Sequence, residues 1–283
     1  MHLLHQPGNE EKAACGVAAC EAPAVVFRSA TAALGGRVIW QNATFEIRPG
    51  EFIAVVGPNG CGKSTLLRMI LGQVAPAAGE VRVLGRVPRL GNREVGLVPQ
   101  RRELTSGLAV RGRDLVLLGI EGGRWGFGRP SEAARRQAEW ALEAVNARHF
   151  ADEAMGVLSG GEQQRLLIAQ ALAPELKVLL LDEPLASLDL RSQHEIVELV
   201  DGLRRRQGVA VLFVSHDLNP VLPVVDRVLY IRNHCPVCGG VDEVVQPELL
   251  SHLFGTPVQV CRTHDGDRLV HGSIHRGRDG HLP

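Results

Sequence analysis

One glycine-rich stretch sets the architecture of this chain: Gly57-Pro58-Asn59-Gly60-Cys61-Gly62-Lys63-Ser64-Thr65. It follows the apolar run 52–56 and precedes the apolar segment 66–71, which predicts a buried strand, a loop and a helix. In that setting the loop's backbone N–H groups and the helix N-terminus surround a phosphate chain. We expect Lys63 to reach the β- and γ-phosphates and the Ser64 hydroxyl to bind Mg²⁺. A turn that is merely rich in glycine is the weaker interpretation.

The rest of the chain predicts an α/β fold around this loop. Short strands with turn signals flank it and predict an antiparallel β subdomain, at 24–27, 38–40, 43–47 and 79–85. Apolar strands then alternate with helices and predict a P-loop NTPase core with a mainly parallel sheet, at 95–98, 179–181, 209–214 and 228–231.

The predicted organisation has three parts. We expect a loosely ordered N-terminal extension at 1–23, a nucleotide-binding domain at 24–232 and a C-terminal extension at 233–283. An inserted α-helical subdomain occupies about 101–172 of the central domain, with Ser131 as the N-cap of one of its helices.

Composition excludes some classes of function. Lys+Arg and Asp+Glu both total 31, so no global positive charge favours nucleic acid as a partner. No run approaches the 18 apolar residues of a membrane span, and the N-terminus does not predict a secretory signal. The six cysteines are not spaced like a disulfide framework, which favours a reducing compartment.

Four further features stand at predicted strand ends or helix starts. They are Gln100 after the strand 95–98, Leu158-Ser159-Gly160-Gly161-Glu162-Gln163 before a helix, Asp182-Glu183 after the strand 179–181, and His216 after the strand 209–214. A lone Gln or His of this kind is usually just a satisfied polar group. In this order, together with the glycine-rich loop, they resemble the ATP-binding cassette (ABC) ATPases that power ABC transporters.

The resemblance covers about residues 24–232 and implies a mechanism. Family members sandwich two ATP molecules in a head-to-tail dimer, in which the loop 57–65 of one subunit faces Ser159-Gly160-Gly161 of the other. Asp182 would hold Mg²⁺ through water, and Glu183 would polarise the attacking water as a general base. Gln100 would contact Mg²⁺ and that water, and His216 the γ-phosphate.

Two positions near the site need separate interpretation. Asp189 matches the family's D-loop and is expected at the dimer seam, whereas alone it would be only an N-cap candidate. Leu34 stands where the family usually has an aromatic residue that stacks on adenine. Trp40 is a poor substitute because strand alternation directs it into a sheet face. We therefore expect weak selectivity for adenine.

Several segments are most similar to the ATPases of zinc and manganese uptake systems, namely 115–119, 126–130, 215–218, 224–229 and 253–258. Iron-chelate importers share much of this pattern and are the alternative. The resemblance implies a membrane permease, an extracytoplasmic solute-binding protein and a peripheral position at the cytoplasmic face of the cell membrane. A soluble, non-transport ABC ATPase is less favoured, because such proteins usually carry two cassettes or long coiled-coil insertions. A regulatory module with a degenerate cassette is opposed by the intact motifs.

Cys235 and Cys238 form a Cys-x-x-Cys pair that the family core does not need. Such a pair is half of a zinc knuckle, and Cys261 with His234 or His264 could complete a structural Zn²⁺ site. A redox pair and two incidental cysteines are the alternatives. The other tail histidines, His271, His275 and His281, have no ligand-like spacing and are expected in solvated loops.

Overall fold

The structure is a computed structural model that describes residues 22–100, 110–122, 129–232, 234–262 and 268–272. Its strands are β1 Val25–Leu34, β2 Arg37–Ile47, β3 Phe52–Val56, β4 Ala78–Val83, β5 Val95–Val98, β6 Val178–Asp182, β7 Ala210–Val214, β8 Arg227–Arg232, β9 Cys235–Gly240, β10 Val258–Arg262 and β11 Arg268–Gly272. Its α-helices are α1 Lys63–Ile70, α2 Gly112–Glu121, α3 Glu132–Ala144, α4 Gly160–Ala171, α5 Leu190–Gln207, α6 Val241–Val244 and α7 Pro247–Phe254. Single 3₁₀ turns lie at Arg148–Phe150 and Met155–Val157.

A six-stranded sheet with the order β5-β6-β7-β3-β8-β9 forms the centre of the fold. Its first five strands are parallel, and β9 adds an antiparallel edge strand to β8. Because both faces of this sheet are covered by other elements, its central strands consist of continuous runs of apolar residues. In β3, for example, Ala54 faces one hydrophobic core and Val55 faces the other. The predicted P-loop NTPase core with a mainly parallel sheet is confirmed.

The two faces of the sheet are covered by different elements. On one side lie α1 and the antiparallel sheet β2-β1-β4, which share a core with residues such as Trp40, Leu66 and Leu180. On the other side lie α2 to α5 and part of the C-terminal region. The sequence predicts two separate strands here, at 38–40 and 43–47. The structure joins them in one strand with an irregular register near Asn42, whose φ is 55°.

Helix starts follow the capping residues in the sequence. The Ser131 side chain accepts a hydrogen bond from the Ala134 N–H at 3.1 Å, as predicted for the N-cap of α3. Helix α5 begins at Leu190, because the side chain of Asp189 before it accepts a hydrogen bond from the Ser192 N–H at 3.0 Å. Gly208, with a φ of 66°, ends this helix in the left-handed conformation that glycine tolerates.

The C-terminal region extends the sheet and core beyond the boundary predicted at 232. The region contains four elements that were not predicted from the sequence, β9, α6, β10 and β11. Leu250 and Val258 are buried in the same core as the helices α2 to α5. Most of the predicted N-terminal extension and the histidines His264, His275 and His281 lie outside the described residues. Within those residues, no helix is long and apolar enough to cross a membrane.

Candidate functional site

The predicted functional groups meet at the carboxyl ends of four neighbouring parallel strands. The sheet order is β5-β6-β7-β3. At the carboxyl ends of these strands lie, in the same order, Gln100, the pair Asp182 and Glu183, His216 and the glycine-rich loop. This edge is where open α/β sheets bind their ligands. The topology therefore converts four separate sequence motifs into one site.

The glycine-rich loop is held closely between β3 and β2. The Lys63 ammonium donates hydrogen bonds to the carbonyl oxygens of Gly57 at 2.7 Å and Pro58 at 3.1 Å, so its charged end lies inside the loop. Gly62 precedes α1 with a φ of 100°, and a Cβ there would lie 2.5 Å from a methyl carbon of Ile39. A larger residue would meet both strain and a clash, so this position requires glycine.

Beside this loop, two oxygen donors suit a magnesium ion. The Ser64 hydroxyl donates to the Asp182 carboxylate, with Oγ and Oδ2 3.2 Å apart. Burial raises the pKa of the Asp182 carboxyl, while the Ser64 hydrogen bond and the Lys63 charge act in the opposite direction. A hydroxyl and a carboxylate next to an ammonium are the hard ligands and the phosphate-binding charge expected for Mg²⁺ with a triphosphate. The residues therefore fit the predicted ATP and Mg²⁺.

Glu183 is fixed in an unusual backbone conformation next to this pair. Its φ is 49°, in the left-handed region that costs a non-glycine residue about 1 kcal/mol or more. Its N–H donates to the Val214 carbonyl at 3.2 Å, and its Oε2 accepts a hydrogen bond from Gln100 Nε2 at 2.8 Å. Two predicted residues that are 83 positions apart are thus in direct contact.

His216 lies on the same edge and is exposed. It follows Ser215, the buried residue whose N–H donates to the Val55 carbonyl at 3.1 Å and so ties the exit of β7 to β3. His216 therefore stands between the Glu183 strand and the glycine-rich loop in the strand order.

Ser159, Gly160 and Gly161 lie on another part of the molecule, at the start of α4. Ser159 and Glu162 form a capping box, in which the Ser159 N–H donates to the Glu162 carboxylate at 2.7 Å. Helix α4 packs against α2, α3, α5 and β5. Ser192 was not among the predicted site residues, and its Oγ would lie 3.1 Å from a Cβ placed on Gly161. Its position three residues after Asp189 was the available signal.

Leu34 and Trp40, the two residues considered for base stacking, lie in different environments. Leu34, at the end of β1, is 40% exposed and presents no aromatic ring. Trp40 is fully buried, and its indole N–H donates to the Gly62 carbonyl at 3.4 Å. Trp40 therefore packs in the core under the glycine-rich loop and contacts it through Gly62.

Cys235 and Cys238 do not have the arrangement that a shared zinc site needs. Both lie in β9, which pairs regularly with β8, so side chains three residues apart point to opposite faces. Cys238 packs against the core beneath the antiparallel sheet, and burial raises the pKa of its thiol to about 11. Within the described ranges, no group of three or more His, Cys, Asp or Glu side chains could hold a metal ion.

Together, the sheet order and this edge define a P-loop nucleoside triphosphatase with a signature helix. The chain matches the ABC transporter family over residues 40–186. It is 36% identical over 259 residues to the zinc import ATP-binding protein ZnuC of Yersinia enterocolitica, covering 88% of this chain and 94% of that protein. It is 35% identical over 247 residues to the iron(3+)-hydroxamate import ATP-binding protein FhuC of Bacillus subtilis, covering 82% and 91%.

Solved structures agree with this assignment. A chain from an inward-facing transporter assigned to the metal-chelate ABC type matches with a TM-score of 0.76 and 30% identity, over 88% of this chain and 96% of that one. A dimeric ATP-binding cassette bound to ADP and phosphate matches with a TM-score of 0.63 and 27% identity, over 77% and 98%. The chain belongs to the ABC transporter ATPase family and is an ATP hydrolase.

Proposed function

We propose that Glu183 is the general base of ATP hydrolysis and that Gln100 orients it. The observation that carries this proposal is the 2.8 Å hydrogen bond between them at the edge of the sheet where Ser64 meets Asp182. A carboxylate in hydrogen-bond reach of a water can accept its proton as the water attacks phosphorus. Gln100 donates to one carboxylate oxygen and leaves the other available for the water.

The remaining residues of the edge bind the substrate and its metal. Lys63 is a point charge for the phosphates, and the backbone of 57–65 supplies N–H donors around them. Ser64 and Asp182, with Gln100, would hold Mg²⁺, which when bound neutralises charge on the phosphate oxygens. His216 would donate a hydrogen bond to the γ-phosphate and stabilise charge as the bond to the leaving phosphate breaks.

We further propose that hydrolysis needs a second copy of the chain in a head-to-tail dimer. Support comes from the position of Ser159, Gly160 and Gly161, which cap a helix packed among other helices and strand β5. The free N–H groups at that helix start suit an anionic phosphate. Ser192, which lies beside Gly161, and Asp189, which accepts a hydrogen bond from the Ser192 N–H, would form part of the same seam.

A permease is proposed to dock in a groove between β5 and the helical subdomain. This groove has a volume of about 400 Å³ and is lined by Pro99, Gly119 and Gln170 among others. A second cavity of about 430 Å³ shares Arg93, Ile120 and Gln137 with it. Because Pro99 directly precedes Gln100, a segment seated here would act on the residue that touches Glu183.

We propose zinc, or a related divalent ion such as manganese, as the transported substrate. Support comes from relatives named as zinc importers in Yersinia enterocolitica and Pseudomonas aeruginosa, at 36% and 33% identity. Import implies a solute-binding protein outside the cell and a peripheral position of this chain at the cytoplasmic membrane face. The iron-hydroxamate relative, at 35% identity, makes an iron chelate the second candidate.

Uptake in cells decides between these substrates. Deleting the gene should lower the initial rate of ⁶⁵Zn uptake under zinc limitation, and wild-type protein should restore that rate while Lys63→Ala should not. Uptake of ⁵⁵Fe-hydroxamate serves as the parallel measurement. If only the iron-chelate rate falls, zinc is excluded and the alternative stands. Uptake of ⁵⁴Mn is measured in the same strains, and if none of the three rates falls, the import function itself is refuted.

A further inference from the structure

Asn219 joins the segment that carries His216 to the C-terminal hairpin formed by β10 and β11. Its side-chain Nδ2 donates to the Val270 carbonyl at 2.9 Å, and its Oδ1 accepts from the Val270 N–H at 2.8 Å. The two residues are 51 positions apart. One amide side chain thus satisfies both backbone groups of Val270, as a neighbouring strand would.

The hairpin is a fixed element. Val258 of β10 is 6% exposed and belongs to the main core, and Val260 and Val270 pack against the same core. The Ser251 hydroxyl of α7 accepts a hydrogen bond from the Val258 N–H at 2.8 Å. Since the hairpin is held by packing and by α7, it can serve as an anchor for a loop that contacts it.

On the side away from the hairpin, Asn219 is hydrogen-bonded to Asp217, the residue that follows His216. The Asn219 N–H donates to the Asp217 carboxylate at 2.9 Å. The Ser215 hydroxyl donates to the Asp217 carbonyl at 2.6 Å and accepts from the Asp217 N–H at 3.1 Å. His216 therefore lies in a short turn whose preceding residue is tied to the sheet and whose following residues are tied to the hairpin.

We propose that the C-terminal hairpin positions His216 for ATP hydrolysis, with Asn219 as the positioning residue that transmits the constraint. This inference rests on the role proposed above for His216. Without the Asn219 side chain, the 215–219 segment keeps its burial through Leu218 but loses its attachment to β11. The imidazole then samples positions away from the γ-phosphate, and misplacement of about 1 Å can cost up to about 100-fold in rate.

The test compares Asn219→Ala with Ser251→Ala in the full-length chain. Asn219→Ala removes two hydrogen bonds to the backbone of the hairpin and Ser251→Ala removes the one from the Val258 N–H, but of these two residues only Asn219 belongs to the His216 segment. We expect Asn219→Ala to lower kcat about tenfold with KM for ATP changed less than twofold, and Ser251→Ala to keep kcat within twofold. Amide exchange in peptides that cover 215–219 should speed up in Asn219→Ala alone.

Each outcome bears on the inference. A wild-type kcat in Asn219→Ala would overturn the positioning role. An equal loss of kcat in Asn219→Ala and Ser251→Ala would also overturn it, because any damage to the hairpin would then be enough to lower kcat. His216→Ala, measured alongside, separates this failure from that of the proposed mechanism. If kcat falls severely in His216→Ala but is unchanged in Asn219→Ala, the positioning role of Asn219 is refuted and the proposed role of His216 stands. Wild-type turnover in His216→Ala refutes the role of His216 and the inference with it.

Discussion

Replacing Glu183 by Gln should remove one negative charge from the site and change little else. The side-chain amide keeps an oxygen where Glu183 Oε2 accepts the Gln100 hydrogen bond at 2.8 Å. Both residue types carry the same cost at a φ of 49°, because neither is glycine and neither is β-branched. The thermal unfolding midpoint should therefore stay within about 2 °C of wild type, since the free energy of unfolding changes by less than about 0.5 kcal/mol.

Hydrolysis, in contrast, should fall at least about 100-fold. An amide cannot accept the proton of the attacking water, and loss of a general base typically costs 10²- to 10⁴-fold in rate. That range corresponds to about 3 to 5 kcal/mol of activation free energy. Affinity for Mg·ATP should change less than about threefold, because Lys63, Ser64 and Asp182 keep their contacts.

The assay measures kcat by phosphate release and Kd with a fluorescent ATP analogue, with Gln100→Ala as the matched control. That control removes the donor but leaves the carboxylate, so we expect a loss of about tenfold, smaller than for Glu183→Gln. The Glu183→Gln variant should also accumulate as a dimer on a sizing column with Mg·ATP. Turnover within tenfold of wild type in Glu183→Gln, or a larger loss in Gln100→Ala, would refute Glu183 as the base.

Three further outcomes follow from the structure. Because Leu34 offers no ring for stacking, ATP should be preferred over GTP less than about tenfold in affinity, and a measured preference of 100-fold would contradict this. Arg204→Ala removes two ion pairs of 2.7 Å, with Asp226 and with Asp201, near the start of the parallel sheet, so calorimetry should show a free energy of unfolding lower by about 2 kcal/mol and a thermal midpoint lower by about 4–8 °C; an unchanged midpoint would rule the two pairs out as stabilising contacts. Since burial raises the pKa of Cys238 to about 11, iodoacetamide at pH 8 should label exposed Cys261 at least about 100-fold faster, and equal rates in the folded protein would show that Cys238 is accessible.

The parallel sheet and its edge were predictable because each motif follows directly on the strand that positions it. Asp182 and Glu183 continue the apolar run of β6, and Gln100 comes two residues after β5. Once those strands are known to be parallel neighbours, their carboxyl ends must meet. The contact between Gln100 and Glu183 then follows from topology, although the backbone conformation of Glu183 has no sequence signal.

The C-terminal region was harder to predict from the sequence. Strand β9 contains Pro236 and ends in Gly239 and Gly240, residue types that are depleted in strands, and it forms because it pairs along β8 at the edge of the sheet. Its Cys-x-x-Cys spacing suggested a metal site because spacing alone does not show whether the segment is a loop or a strand. In a strand the same spacing places Cys235 and Cys238 on opposite faces.

The surroundings of His216 could not be predicted from the local sequence alone. Gln100, Asp182 and Glu183 stand at the ends of the adjacent strands β5 and β6, and Gln100 and Glu183 contact each other there. The turn that holds His216 depends in addition on Val270, in a hairpin whose short strands carry only a weak periodic signal. The Asn219 side chain bonds to Val270 as a neighbouring strand would. Hydrophobic periodicity does not detect this role, because in the sequence Asn219 has the features of an ordinary loop residue. In the positioning role proposed for Asn219, the C-terminal region would contribute to hydrolysis by holding the segment that carries His216.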